Sequence, residues 1–215
     1  VAQIFSDRAN RVPIYLAGGL AVVAVVLPLF VWYYFSPEYT DVGYQPTQPV
    51  PYSHKLHVGE LGLDCRYCHA GVEVAAVASV PPTQVCMNCH QIVKRDSPLL
   101  EPIRNSFATG RPMNWVRVHK LPDYAFFDHS VHIRVGVGCS SCHGDISAME
   151  VVQQAKPLSM SWCLDCHRNP DPYLRPADQI YDTTWEAPED QLAFAAQVKE
   201  SRGIAPPEDC SACHR

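Results

Sequence analysis

Apolar positions fall into two regimes along these 215 residues. From Val12 to Phe35 nearly every side chain is hydrophobic (VPIYLAGGLAVVAVVLPLFVWYYF), and no charge occurs between Val12 and Pro37. A run of this length crosses a bilayer as one helix, so residues 12–37 are read as a transmembrane helix and residues 1–11 as a cytoplasmic N-terminus. The run exceeds the h-region of a secretory signal, and no small-x-small cleavage site follows it, which favours an uncleaved anchor. Pro28 predicts a kink. Ala17, Gly18, Ala21 and Ala24 gather small side chains, which could seat another membrane helix. Arg8 and Arg11 precede the run while Glu38 and Asp41 follow it, so the positive-inside rule sends the remainder to the extracytoplasmic side.

Beyond residue 37 the pattern changes. No long stretch keeps a helical or strand period, and the 19 prolines punctuate the chain throughout. Residues 38–51 read as an extended linker and residues 168–187, rich in proline and aspartate, as a strap. Pro188 to Arg202 predicts a helix, with proline near its start, early acids and Gly203 as a stop. The fold class expected is mostly α with extensive irregular structure.

So irregular a pattern leaves the core unexplained until the cysteines are read. All ten lie in five Cys-x-x-Cys-His motifs: Cys65/Cys68/His69, Cys86/Cys89/His90, Cys139/Cys142/His143, Cys163/Cys166/His167 and Cys210/Cys213/His214. This spacing lets two thiols add across the vinyl groups of one haem, with the adjoining His on the iron. Structural zinc uses Cys-x-x-Cys pairs in even numbers and needs no following His; a disulfide framework gives no reason for the His either. Five covalently bound haem c groups are expected. Roughly 180 residues then surround five porphyrins, which must supply most of the core themselves.

The chain also repeats internally. Tyr52-Ser53-His54-Lys55-Leu56-His57 precedes Cys65, and Phe127-Asp128-His129-Ser130-Val131-His132 precedes Cys139. Both histidines shift by 75 residues between copies, the first haem motif by 74 and the second by 77. This divides the exported part into residues 52–126, a first dihaem repeat with its connector, and residues 127–215, a second repeat with a fifth haem segment. Ser53 and Asp128 can cap short helices, and histidines three apart on one helical face can serve two neighbouring irons. Five histidines remain as distal ligands: His54, His57, His119, His129 and His132. Met149 and Met160 are the alternatives, and a methionine ligand would raise the potential of its haem.

Six-coordinate haems bind no substrate, so electron transfer is expected and no catalytic residue is assigned. After residue 37 there are 15 Lys and Arg against 21 Asp and Glu. That acidic balance suits a basic electron carrier and gives no support to nucleic-acid binding.

The repeats resemble the multihaem cytochromes of the c3 and c7 group. More closely, the chain resembles the pentahaem cytochrome subunit (ActA) of bacterial alternative complex III. The matching segments are Ser53-His54-Lys55-Leu56-His57 with Gly59-Glu60-Leu61, Pro81-Pro82-Thr83 leading into Cys86, Trp115 to Asp123, Met149-Glu150-Val151-Val152, and Leu158-Ser159-Met160 before Trp162-Cys163. The resemblance implies a subunit of a menaquinol-oxidising complex in the bacterial inner membrane, its haem domain in the periplasm. Its partners would be an iron–sulfur protein, polytopic quinol-binding subunits, a monohaem cytochrome c, and a soluble acceptor (a cytochrome c or copper protein) or an oxidase. The alternative is a quinol dehydrogenase cytochrome of the NapC and NrfH kind, which oxidises quinol itself at an open haem.

Overall fold

The computed structural model describes residues 4–214. These form two compact units, one ending at Asp41 and the other starting at Val42. Among the described residues there is no strand, only two isolated bridges, Ala125 with His214 and Val137 with Leu174.

The first unit is built on helix α1, Val12–Tyr34, which continues a 3₁₀ turn over Asp7–Arg11. Together they make one helix long and apolar enough to cross a membrane; a signal sequence meets the same criterion. Pro13 lies in its first turn, where a missing N–H costs nothing. Pro28 sits inside the helix, which runs through it without a break. The expected span of 12–37 ends three residues early. Pro37 disfavours helical geometry at Ser36, whose ψ is 150°. Phe30, Tyr33, Tyr34 and Tyr39 then cluster at this end, with ring centres 4.4–5.6 Å apart.

The second unit is a series of short helices on irregular chain. The longer ones are α2 (Thr83–His90), α3 (Glu101–Thr109), α4 (His129–Val135), α5 (Met160–Arg168) and α6 (Gln191–Arg202). Single turns carry the other haem motifs: Cys65–Cys68, Cys139–His143 and Cys210–Cys213. The first His pair rides on a wider, π-type turn over Lys55–Glu60, where the Leu61 N–H reaches back five residues to the Leu56 carbonyl.

Helix α3 lies inside the connector and was not expected there. Its signals are present: Pro102 in the first turn and Gly110 with φ of +67° after the last. Helix α6 begins at Gln191 rather than Pro188, because Pro188 to Asp190 form the turn that leads into it.

Eight apolar residues are buried among those described. They form two small clusters, Val50/Met87/Ile103 and Leu174/Ala195/Val198, plus Val72 and Ile180. So few cannot organise a unit of this size, since burial of apolar area is what offsets chain entropy. Something other than side chains must fill its interior.

The two repeats hold one another reciprocally. The Lys55 N–H donates to the Met149 carbonyl, and the Ser130 N–H donates to the Ala75 carbonyl. Lys55 and Ser130 are equivalent by the 75-residue shift, and Ala75 and Met149 by the 74-residue shift. Each His pair therefore rests on the loop that follows the other repeat's first haem motif.

Candidate haem-binding sites

A histidine that ligates a metal presents one ring nitrogen to it and almost always has the other fixed by a hydrogen bond. That arrangement recurs here. The Nδ1 atoms of His57, His69, His90, His129, His132 and His167 lie 2.6–2.9 Å from the backbone carbonyls of Ser53, Ser79, Val93, Ala76, Asp128 and Pro207. His214 Nδ1 is 3.3 Å from the Tyr124 carbonyl. A carbonyl can only accept, so each Nδ1 carries the hydrogen and each Nε2 is left as a lone-pair donor.

The histidines also face one another in pairs. Ring centres are 6.2 Å apart for His57 and His90, 6.2 Å for His132 and His167, and 6.3 Å for His129 and His143. Imidazole nitrogens bind first-row metals at about 2.0 Å, and each ring centre lies about an ångström further back, so two imidazoles trans on one ion have centres about 6 Å apart. The His129 and His143 planes differ by only 7°. Burial pulls His54 down to about 4 and His143 to about 3, and lowers His119 and His132 as well. All four are then neutral imidazoles, the form that ligates a metal.

No disulfide joins any of the ten cysteines. Eight of them are half-buried: Cys65, Cys68, Cys86, Cys139, Cys142, Cys163, Cys166 and Cys213. Cys89 and Cys210 differ, because both are exposed. The reason at Cys89 is helical geometry. Met87 points α2 into the cluster with Val50 and Ile103, and a residue two positions on lies about 200° further round the helix, on the outer face. Cys86 packs against that cluster instead, so the two sulfurs of motif 2 sit in unlike surroundings. Ile92 and Val93, just after Cys89, are exposed as well. Protein therefore does not cover this side of motif 2, and an apolar ring attached there would. Cys210 opens the single turn Cys210–Cys213 and faces outward.

The chain's own residues fit haem better than a metal held by side chains alone. No group of three or more His, Cys, Asp or Glu converges on a point among the described residues. Haem iron needs only two protein ligands, because the porphyrin provides four. The missing interior filling noted above has the same remedy.

The aromatic residue opening each repeat has a definite job. Tyr52 stacks on His57 at 4.4 Å and meets His54 edge-on at 4.8 Å. Phe127 stacks on His132 at 4.4 Å and meets His129 edge-on at 4.8 Å. One ring thus sets the orientation of both histidines. The predicted caps are in place too: the Ser53 hydroxyl accepts from the Leu56 N–H at 3.0 Å, and the Asp128 carboxylate from the Ser130 N–H at 2.8 Å.

The remaining candidates lie as follows. His119 stands with its Nε2 3.3 Å from Nδ1 of His143, ring centres 4.3 Å apart. His54 has a buried Nδ1 without a hydrogen-bond partner and lies in electrostatic range of His69. Met149 is half-buried, its methyl group near Gly144; Met160 is 65% exposed.

Contacts between motifs give them a spatial order that differs from their chain order. Motif 2 touches motif 1 where Asn88 donates to the Tyr67 hydroxyl at 3.0 Å. Motif 1 adjoins motif 3, the Cys65 and Cys139 side chains lying within electrostatic range of one another. Motifs 3 and 4 share α4, whose His129 and His132 face His143 and His167. Motif 4 meets motif 5 through His167 on Pro207 at 2.6 Å and Arg168 on Glu208 at 2.9 Å. The sequence of neighbours is 2–1–3–4–5.

Residues 125–215 match the family model described as cytochrome c7 and related cytochrome c. This part of the chain is a c7-like multihaem domain, whose family carries covalent haem c. Over 130 residues the chain is 33% identical to the "menaquinone reductase, multiheme cytochrome c subunit" of Nitratidesulfovibrio vulgaris. That similarity covers 59% of this chain and 60% of the relative's length.

Proposed function

We propose that this chain is a membrane-anchored pentahaem relay subunit of a quinone-linked oxidoreductase, of the alternative complex III kind. The observation that carries the reading is the set of imidazole pairs 6.2–6.3 Å apart, their Nδ1 hydrogens directed at fixed acceptors. Haem c, when bound, supplies one-electron exchange at iron without making or breaking substrate bonds.

The protein's residues do the rest. Cys65/Cys68, Cys86/Cys89, Cys139/Cys142, Cys163/Cys166 and Cys210/Cys213 form the thioether links, and His69, His90, His143, His167 and His214 are the proximal ligands. His57 serves motif 2, His129 motif 3 and His132 motif 4. His54 serves motif 1, by its equivalence to His129 and its nearness to His69, which leaves His119, with Met149 and Met160 as the alternatives, for motif 5. Because the motifs adjoin in the order 2–1–3–4–5, motifs 2 and 5 are the two ends available to partners. They are also the two motifs with an exposed cysteine, Cys89 and Cys210.

The relative's name refers to menaquinone, and the alternative complex III resemblance favours electron flow out of menaquinol. Partner subunits would be an iron–sulfur protein and polytopic quinone-binding proteins. Helix α1 anchors the chain in the bacterial inner membrane with the haem domain in the periplasm. The test is direct. Pyridine haemochrome and intact mass should give five haems per chain, and the purified subunit alone should not be reduced by a menaquinol analogue. Rapid direct reduction, with a high-spin haem signal, would instead establish a quinol dehydrogenase of the NapC and NrfH kind.

A further inference from the structure

Arg175 lies in the strap, only 5% exposed, between the turns Asp171–Tyr173 and Ala177–Gln179. Its guanidinium is laid across Gly138, the residue before Cys139; a Cβ on that glycine would overlap Nε and Cζ. Nη2 donates to the Ser140 hydroxyl at 2.7 Å, so the cation touches the residues on both sides of Cys139. Nη1 donates to the Asp182 carbonyl at 2.7 Å. The Trp185 ring covers the guanidinium at 4.6 Å.

No carboxylate forms an ion pair with Arg175 among the described residues. The nearest, Asp182, directs its side chain to the N–H and hydroxyl of Thr184 at 2.8 and 2.7 Å. The strap thus keeps a positive charge, shielded from water and neutralised only at a distance, against the third haem motif. Burying a cation is costly unless it is paired, and ordinary structural needs would be met by a neutral donor.

We propose that Arg175 is a tuning residue that raises the reduction potential of the haem attached at Cys139 and Cys142. Oxidised iron carries one more positive charge than reduced iron, so a fixed cation nearby favours the reduced form, most strongly where water cannot screen it. In the order 2–1–3–4–5, motif 3 is central, where the height of one step governs passage in either direction. This rests on the relay reading above.

The experiment is a spectropotentiometric titration of the haem-loaded chain as wild type, Arg175→Gln, Arg175→Lys and Asp182→Asn. Arg175→Gln should move one component to lower potential and leave the others in place. Arg175→Lys should keep that component near its wild-type position, although both variants lose part of the hydrogen-bond fork and should melt earlier. Asp182→Asn removes the distant counter-charge and should move the same component upward; it also covers the case in which Arg175→Gln does not accumulate. Unchanged potentials in Arg175→Gln, equal shifts in Gln and Lys, or a downward shift in Asp182→Asn each overturn the proposal. Peptide mass separates its failure from that of the relay reading. A Cys139–Cys142 peptide without haem removes the relay's central site, whereas a haem-bearing peptide with unmoved potentials removes only the role of Arg175.

Discussion

The two repeats place the same rings at the same separations by different backbone means. In the second repeat, His129 and His132 ride on α4, capped by Asp128 and closed by Gly136 at φ of +104°. In the first, His54 and His57 occupy a π-type turn with a serine cap. Yet the aromatic-to-histidine distances agree at 4.4 and 4.8 Å, and the outer imidazole pairs both stand at 6.2 Å. What is held constant is the position of nitrogen lone pairs; the peptide path between them is free to change.

That equivalence can be broken by experiment. The largest effect should come from His57→Ala and His132→Ala, each removing one proposed distal ligand. Each should convert one haem in five to a high-spin, carbon monoxide-binding form, seen by EPR and by difference spectra. If only one of the two does so, the repeats are not functionally equivalent.

Next in size is Gly59→Ala. A Cβ there would collide with the Ser147 carbonyl, where the first repeat rests on the second's loop. Because backbone must yield, a loss of about 1–3 kcal/mol is expected, read from denaturant midpoints. Replacing Lys55 by Ala in the same turn should have far less effect, since its ion pair with Glu150 is exposed.

A smaller difference separates the helices bearing the second motif of each repeat. Ser159 caps α5, its hydroxyl accepting from the Trp162 N–H at 3.3 Å. Pro82, its equivalent before α2, offers no side-chain cap. Ser159→Ala should cost about 1 kcal/mol, and Pro82→Ala should show no comparable loss of a cap.

The smallest effect is acid dependence at Asp64, whose counterpart in the second repeat is Gly138 under Arg175. Hydrogen bonds from Arg66 hold the Asp64 carboxyl below the usual carboxylate range. Its contribution is complete above that range and is lost as pH falls through the lowered folded-state value. The pair is half-exposed, so Asp64→Asn should cost under about 1 kcal/mol at neutral pH and flatten the acid limb of the stability curve.

Much of this was legible in the sequence, and for identifiable reasons. Thioether chemistry fixes the Cys-x-x-Cys-His spacing, so the motifs can be read without a structure. The duplication was visible because Tyr52 and Phe127 each stand two residues before a histidine whose orientation they set. Helix α3 carried the ordinary signals of Pro102 and Gly110 but only three apolar residues, too few to stand out. The outward face of Cys89, the neighbour relation of His119 to His143, the 2–1–3–4–5 order and the burial of Arg175 were not legible. They depend on contacts between segments far apart in the chain, which local spacing does not encode.

The reciprocal hydrogen bonds between the repeats are related by symmetry. Lys55 on Met149 and Ser130 on Ala75 are the same contact made twice with the partners exchanged, which is the signature of a self-complementary, two-fold interface. The seam between the repeats is thus built as an interface between two equivalent halves, with the covalent connection running across it.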